Sequence, residues 1–101
     1  MLLVDANVLI HAVNRGSREH AVARDWLRRA LRRNEAVAFA WTVALAFLRI
    51  STHPAVFPRP LSLAQATDAL ERWLEAPPAI SITPTQRHLP LLHGLLERAR
   101  T

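Results

Sequence analysis

Apolar and polar positions follow two different rhythms along this chain. Residues Met1 to Val4 form a short apolar run that stops at Asp5, the pattern of a buried strand. Asn7 to Val13 reads as a brief helix with Val8, Leu9 and Ala12 on one side. Asn14 to Ser17 breaks it, and Ser17 is placed to cap the next helix. Arg18 to Arg33 has the clearest amphipathic pattern, with Val22, Ala23, Trp26, Leu27, Ala30 and Leu31 forming the apolar stripe. Ala36 to Ala40 suits a second strand. Trp41 to Ile50 is apolar on nearly every side until Arg49, which predicts a helix inside the domain. Pro54, Pro58 and Pro60 make Thr52 to Leu61 an extended connector. Ser62 and Gln65 then match a capping box, opening a helix to about Ala76 with Leu63, Ala66, Leu70, Trp73 and Leu74 inward. Pro77 and Pro78 end it. Ala79 to Thr83 predicts a third strand, and roughly Thr85 to Arg100 a last helix with Leu89, Leu92, Leu95, Leu96 and Ala99 inward and Pro90 at its start or a kink. Strands alternating with helices predict an α/β domain on a parallel sheet.

Composition narrows the class. The chain has 101 residues, 50% of them hydrophobic, enough for one small domain with a core. No run of about 18 uncharged apolar residues would span a membrane. Asp5 and Asn7 interrupt the early apolar stretch, which does not fit a signal peptide. The absence of cysteine excludes disulfides and thiolate metal sites, and a cytoplasmic location is the default expectation. All thirteen basic residues are arginine against eight acids, a formal net charge of +5. Guanidinium forks match phosphate geometry, which favours RNA or an acidic protein as partner. A GC-rich genome would produce the same bias, so both readings stand.

Asp5 is the first candidate for chemistry. It closes a strand and opens a helix, where open α/β sheets place their ligands. A carboxylate there can bind Mg²⁺, or it can simply cap the helix. Asp25, Asp68, Glu19, Glu71, Glu75 and Glu97 fall on amphipathic helices, where solvation is the usual role. His11, His20, His53, His88 and His93 lack metal-ligand spacing and read as surface or loop residues. Arg24, Arg28 and Arg32 recur every four residues, joined by Arg29 and Arg33; this face is either solvated or a phosphate contact. Trp26, Trp41 and Trp73 read as core. Arg49 is open to a salt bridge or a phosphate contact.

The opening Met-Leu-Leu-Val-Asp-Ala-Asn-Val-Leu-Ile resembles the start of PIN-domain nucleases, especially VapC-type toxins. Leu-Ala-Phe-Leu-Arg-Ile-Ser-Thr-His-Pro, followed by Ala-Val-Phe-Pro-Arg-Pro, is similar to one branch of that family, and the order of elements matches along the whole chain. The resemblance implies the toxin component of a type II toxin–antitoxin system, an endoribonuclease dependent on Mg²⁺ (or Mn²⁺). Asp5 matches the family's first acidic residue and would be both catalytic and a metal ligand. Asn7 would shape the turn beside it. A cognate antitoxin, an RNA substrate and a homodimer are the implied partners, with no membrane.

Two departures from the family pattern stand out. Many members carry a glutamate just before the Leu-Arg pair, where this chain has Ala46 and Phe47, and no acid occurs from Ala36 to Thr67. Members also continue past the position of Thr101 with further aspartates. The expectation is therefore a single PIN-like domain over residues 1–101, incomplete at its carboxyl end. It would be a three-layer α/β fold cut to about three parallel strands, with helices on both faces. The first strand would then be an edge prone to pairing with another chain, and the chain poorly stable alone or oligomeric. The active site would also be incomplete, which sets a non-catalytic module binding an antitoxin or RNA beside the nuclease reading.

Overall fold

The computed structural model describes residues 1–82 and Glu97. Its elements run β1 (Leu2–Leu3), α1 (Ala6–Val13), α2 (His20–Ala30), β2 (Val37–Ala40), α3 (Trp41–Ser51), α4 (Leu63–Glu75) and β3 (Ala79–Ile82). The strands make one sheet in the order β1-β2-β3, parallel throughout. Parallel neighbours need a crossover long enough to return to the starting end, and here each crossover is a pair of helices. The expected α/β architecture is the observed one. Apart from Glu97, which is helical, the expected helix over 85–100 lies outside the described residues, as do His88 and His93 and the Thr83 end of the third strand.

The central strand explains why Val-Ala-Phe-Ala is apolar at every position. All four residues of β2 are buried, so both faces of the strand are covered. Val37 and Phe39 join the core with Val4 and Leu9, Leu27 of α2, Phe47 of α3, and Ala66 and Leu70 of α4. Burying a side chain the size of Leu or Phe contributes about 1.5–3 kcal/mol, so these contacts carry much of the fold. Phe47 is fully buried and meets Trp73 of α4 edge to face, with centroids 5.1 Å apart. That pair joins the two helices of the second crossover. Among the described residues β1 pairs only with β2, which makes it an edge there, as expected.

Several local expectations need correction. The helix expected from Arg18 begins at His20 and ends at Ala30. Ser17 accepts the Glu19 N–H at 3.2 Å, which holds residues 17–19 as a turn ahead of the helix. Val22, assigned to the apolar stripe, is 72% exposed. Leu63 is likewise exposed, because it is the first residue of α4 and lies beyond the packed stretch. Helix α3 is not enclosed on all sides: Ala44, Phe47 and Ser51 are buried while Trp41 and Leu45 are exposed. The proline-rich connector is a compact turn, with the Val56 and Phe57 N–H groups both donating to the His53 carbonyl and Phe57 buried in the core. The capping box is present as read: Ser62 Oγ accepts the Gln65 N–H at 3.0 Å and Gln65 Oε1 accepts the Ser62 N–H at 2.9 Å.

The two histidines of the first crossover are packing residues, not loop residues. His11 lies on α1 and His20 opens α2; both are partly buried. Ser17 Oγ gives its one proton to Glu19 Oε2 at 2.9 Å, so the 2.6 Å contact with His11 Nδ1 requires the imidazole to donate. His20 Nδ1 in turn lies 3.0 Å from the His11 carbonyl and donates to it. These bonds fasten the end of α1 to the start of α2.

Candidate functional site

Register brings the strand ends to one level. Leu2 lies beside Val37 and Leu3 beside Ala38, and the Val4 N–H donates to the Ala38 carbonyl at 3.0 Å. Continued by two residues, this sets Asp5 level with Ala40, which in turn pairs with Ile82 of β3. Neighbouring strands are about 4.8 Å apart, so Asp5, the start of α3 and the end of β3 share the carboxyl edge of the sheet.

Asp5 has extended backbone (φ −84°, ψ 145°) and is the N-cap of α1. Its carboxylate accepts the Asn7 N–H at 3.4 Å, beyond the usual 2.9–3.0 Å of such a bond, and the residue is exposed. One long bond leaves most of the carboxylate's acceptor capacity open to solvent. Capping and ligand binding, the two readings the sequence left open, are therefore compatible at this residue. Asn7, also exposed, sits in the first turn of α1. From it a shallow apolar groove of about 320 Å³ runs between α1 and α2, along Val8, His11, Val22 and Trp26.

Six of the other acids lie elsewhere or are engaged. Glu35 binds the amino group of Met1 at 2.9 Å, at the opposite end of the sheet. Asp25 pairs with Arg24 at 3.4 Å and Asp68 with Arg72 at 2.6 Å. Glu19 belongs to the His11–Ser17 contact, and Glu71 and Glu75 are exposed on α4. Among the described residues no three acidic or histidine side chains gather as metal ligands. Asp5 suits a hard divalent cation in kind, but these residues do not supply enough donors to fix one. At the position of the family's glutamate, Phe47 fills the core and Ala46 is partly buried, so α3 brings no carboxylate toward Asp5.

Arg28, Arg29, Arg32 and Arg33 are exposed, and among the described residues none has a carboxylate within ion-pair distance. They follow one another into the turn that leads to the amino end of β2, away from Asp5. Arg49 is exposed, without a carboxylate partner among the described residues, beside a second groove formed with Leu45, Leu48, Thr52 and Leu63. Trp26 and Trp73 pack against the core as read. Trp41 does not. It is 49% exposed, where the sequence pattern places it inside. The signal available in the sequence is its place as the first residue after an apolar strand.

No family model matches the chain. Among curated proteins it is 44% identical to ribonuclease VapC37 of Mycobacterium tuberculosis, over 95% of this chain and 67% of that protein. It is 31% identical along its whole length to ribonuclease VapC33 of the same species, covering 71% of that relative. The chain belongs to the VapC ribonuclease family. A third VapC ribonuclease, Mb2897 of Mycobacterium bovis, is 38% identical over 87% of this chain and 60% of its own length. The parallel α/β sheet described above is consistent with the PIN-like fold expected of a VapC protein. Among the described residues no helix is long and apolar enough to cross a membrane.

Proposed function

We propose that this VapC-family protein is the toxin component of a toxin–antitoxin system, an endoribonuclease that hydrolyses RNA at the Asp5 end of the sheet. The observation that carries the reading is an exposed, under-bonded carboxylate at the carboxyl edge of a parallel sheet, in a chain 44% identical to a ribonuclease. Asp5 would be one ligand of a Mg²⁺ (or Mn²⁺) ion. Such an ion lowers the pKa of bound water and offsets charge on a phosphate. Within the described residues the protein's own part is to hold the Asp5 carboxylate at the strand end, fixed by extended backbone and the Asn7 N–H. In the reaction a water oxygen bonds to phosphorus and the bond to the 3′ oxygen breaks. The products are a 5′ phosphate and a 3′ hydroxyl.

Arg28, Arg29, Arg32 and Arg33, exposed and without a carboxylate partner among the described residues, add a positive field that draws RNA to the molecule. A cognate antitoxin would hold the toxin inactive by covering the Asp5 end, in the cytoplasm where the RNA is. Leu45 and Leu63, exposed beside a groove of about 400 Å³, support self-association as a homodimer. The test is RNA cleavage with added Mg²⁺, abolished by EDTA and by Asp5→Asn. Cleavage that survives both would overturn the reading. Among the described residues no three acidic or histidine side chains gather as metal ligands, which keeps a non-catalytic module as the second reading, and RNA or antitoxin binding without cleavage would establish it.

A further inference from the structure

An exposed tryptophan is costly for a small domain, because its large apolar surface is left in water. Among the described residues Trp41 is the one exposed aromatic side chain; Phe39, Phe47 and Phe57 are buried, and Trp26 and Trp73 partly so. Its position is fixed from both sides. It follows Ala40, the last residue of β2, and opens α3, whose packed face is Ala44, Phe47 and Ser51. The parallel register sets Ala40 level with Asp5 on the neighbouring strand. Trp41 therefore follows, on the neighbouring strand, the residue whose backbone is level with Asp5.

We infer that Trp41 is a stacking platform for a nucleobase of the RNA next to the phosphate held at Asp5. This rests on the reading of the Asp5 end as the cleavage site. A carboxylate site can govern the phosphate but offers nothing apolar to a base. An indole face beside it supplies what is missing, since every base has a π-face and stacking needs no particular sequence. Single-stranded RNA, whose bases are free to splay onto aromatic side chains, is the form this geometry takes. The nearest charged groups in sequence, Glu35 and Arg49, lie at the far end of β2 and in the last turn of α3.

The experiment measures binding of the full protein, in EDTA to prevent cleavage, to a short oligoadenylate and to an abasic ribose-phosphate chain of equal length. Trp41→Ala is expected to weaken oligoadenylate binding roughly 5- to 150-fold, the range for loss of one base–aromatic stack. Its affinity for the abasic chain and the salt dependence of binding stay unchanged. Trp41→Phe retains most of the affinity, whereas Trp41→Leu, which keeps apolar bulk without a ring, does not. Circular dichroism melts of the three variants confirm that the fold is kept. Equal weakening toward both ligands, or no weakening, overturns the inference while leaving the ribonuclease reading to its own test at Asp5. Loss of antitoxin binding with RNA binding intact would make Trp41 a protein contact, which also overturns it. A wild-type protein that binds neither ligand overturns the inference and leaves the ribonuclease reading to its own test at Asp5 with added Mg²⁺.

Discussion

Replacing Asp5 separates two jobs that one carboxylate performs. As N-cap it accepts the Asn7 N–H, and as the proposed ligand it needs its negative charge. Asparagine caps as well as aspartate, so Asp5→Asn keeps the first job and removes the second. Asp5→Ala removes both. Loss of an N-cap costs about 0.5–2 kcal/mol, and this one belongs at the low end because its bond is 3.4 Å long and exposed. About 0.5 kcal/mol at the midpoint corresponds to a fall in Tm of roughly 2–4 °C for a domain of this size. The expected pattern is a melt of Asp5→Asn close to the parent, a slightly lowered melt of Asp5→Ala, and no RNA cleavage by either. Thermal melts followed by circular dichroism and a gel assay on the same preparations measure both arms. An Asp5→Asn variant that cleaves at the parent rate would refute the ligand role. If Asp5→Asn lost stability as Asp5→Ala does, the charge rather than the cap bond would be what holds α1 in place.

Four further outcomes rest on the packing and the charge distribution. Phe47→Ala should cost about 3–5 kcal/mol, since it empties a fully buried site and removes the contact with Trp73; denaturant melts would show it as a large fall in midpoint, or as failure to fold. Ser62→Ala breaks the reciprocal capping box of α4 and should cost about 1 kcal/mol, measured the same way, with Gln65→Ala adding little more because the two bonds are one device. Ser51 Oγ is buried with no hydrogen-bond partner among the described residues, so Ser51→Ala should leave stability unchanged or raise it by about 1 kcal/mol; a clear loss would mean the hydroxyl is satisfied in solution. Replacing Arg28 and Arg32 together by alanine should reduce the slope of log affinity for single-stranded RNA against log salt by up to about 1.4, and an unchanged slope would mark that face as solvated only.

Sequence by itself determined the kinds of element and their order. The apolar run of β2, the heptad-like stripe of α2 and the Ser62–Gln65 box each depend on neighbours within a few residues, where periodicity and capping chemistry act. It also singled out Asp5, because a lone acid at the end of an apolar run is visible without any partner. What it could not decide were matters of which face meets which neighbour. Helix α3 is apolar nearly all round, so its pattern carries no direction; only packing of Phe47 against Trp73 turned Leu45 and Trp41 outward. Val22 fits the stripe of α2 but is left exposed on the open groove between α1 and α2. The nearness of Trp41 to Asp5 spans 36 positions of sequence and exists only because β1 and β2 pair in one parallel register. Hydrogen bonding between strands set that distance, and no local pattern encodes it.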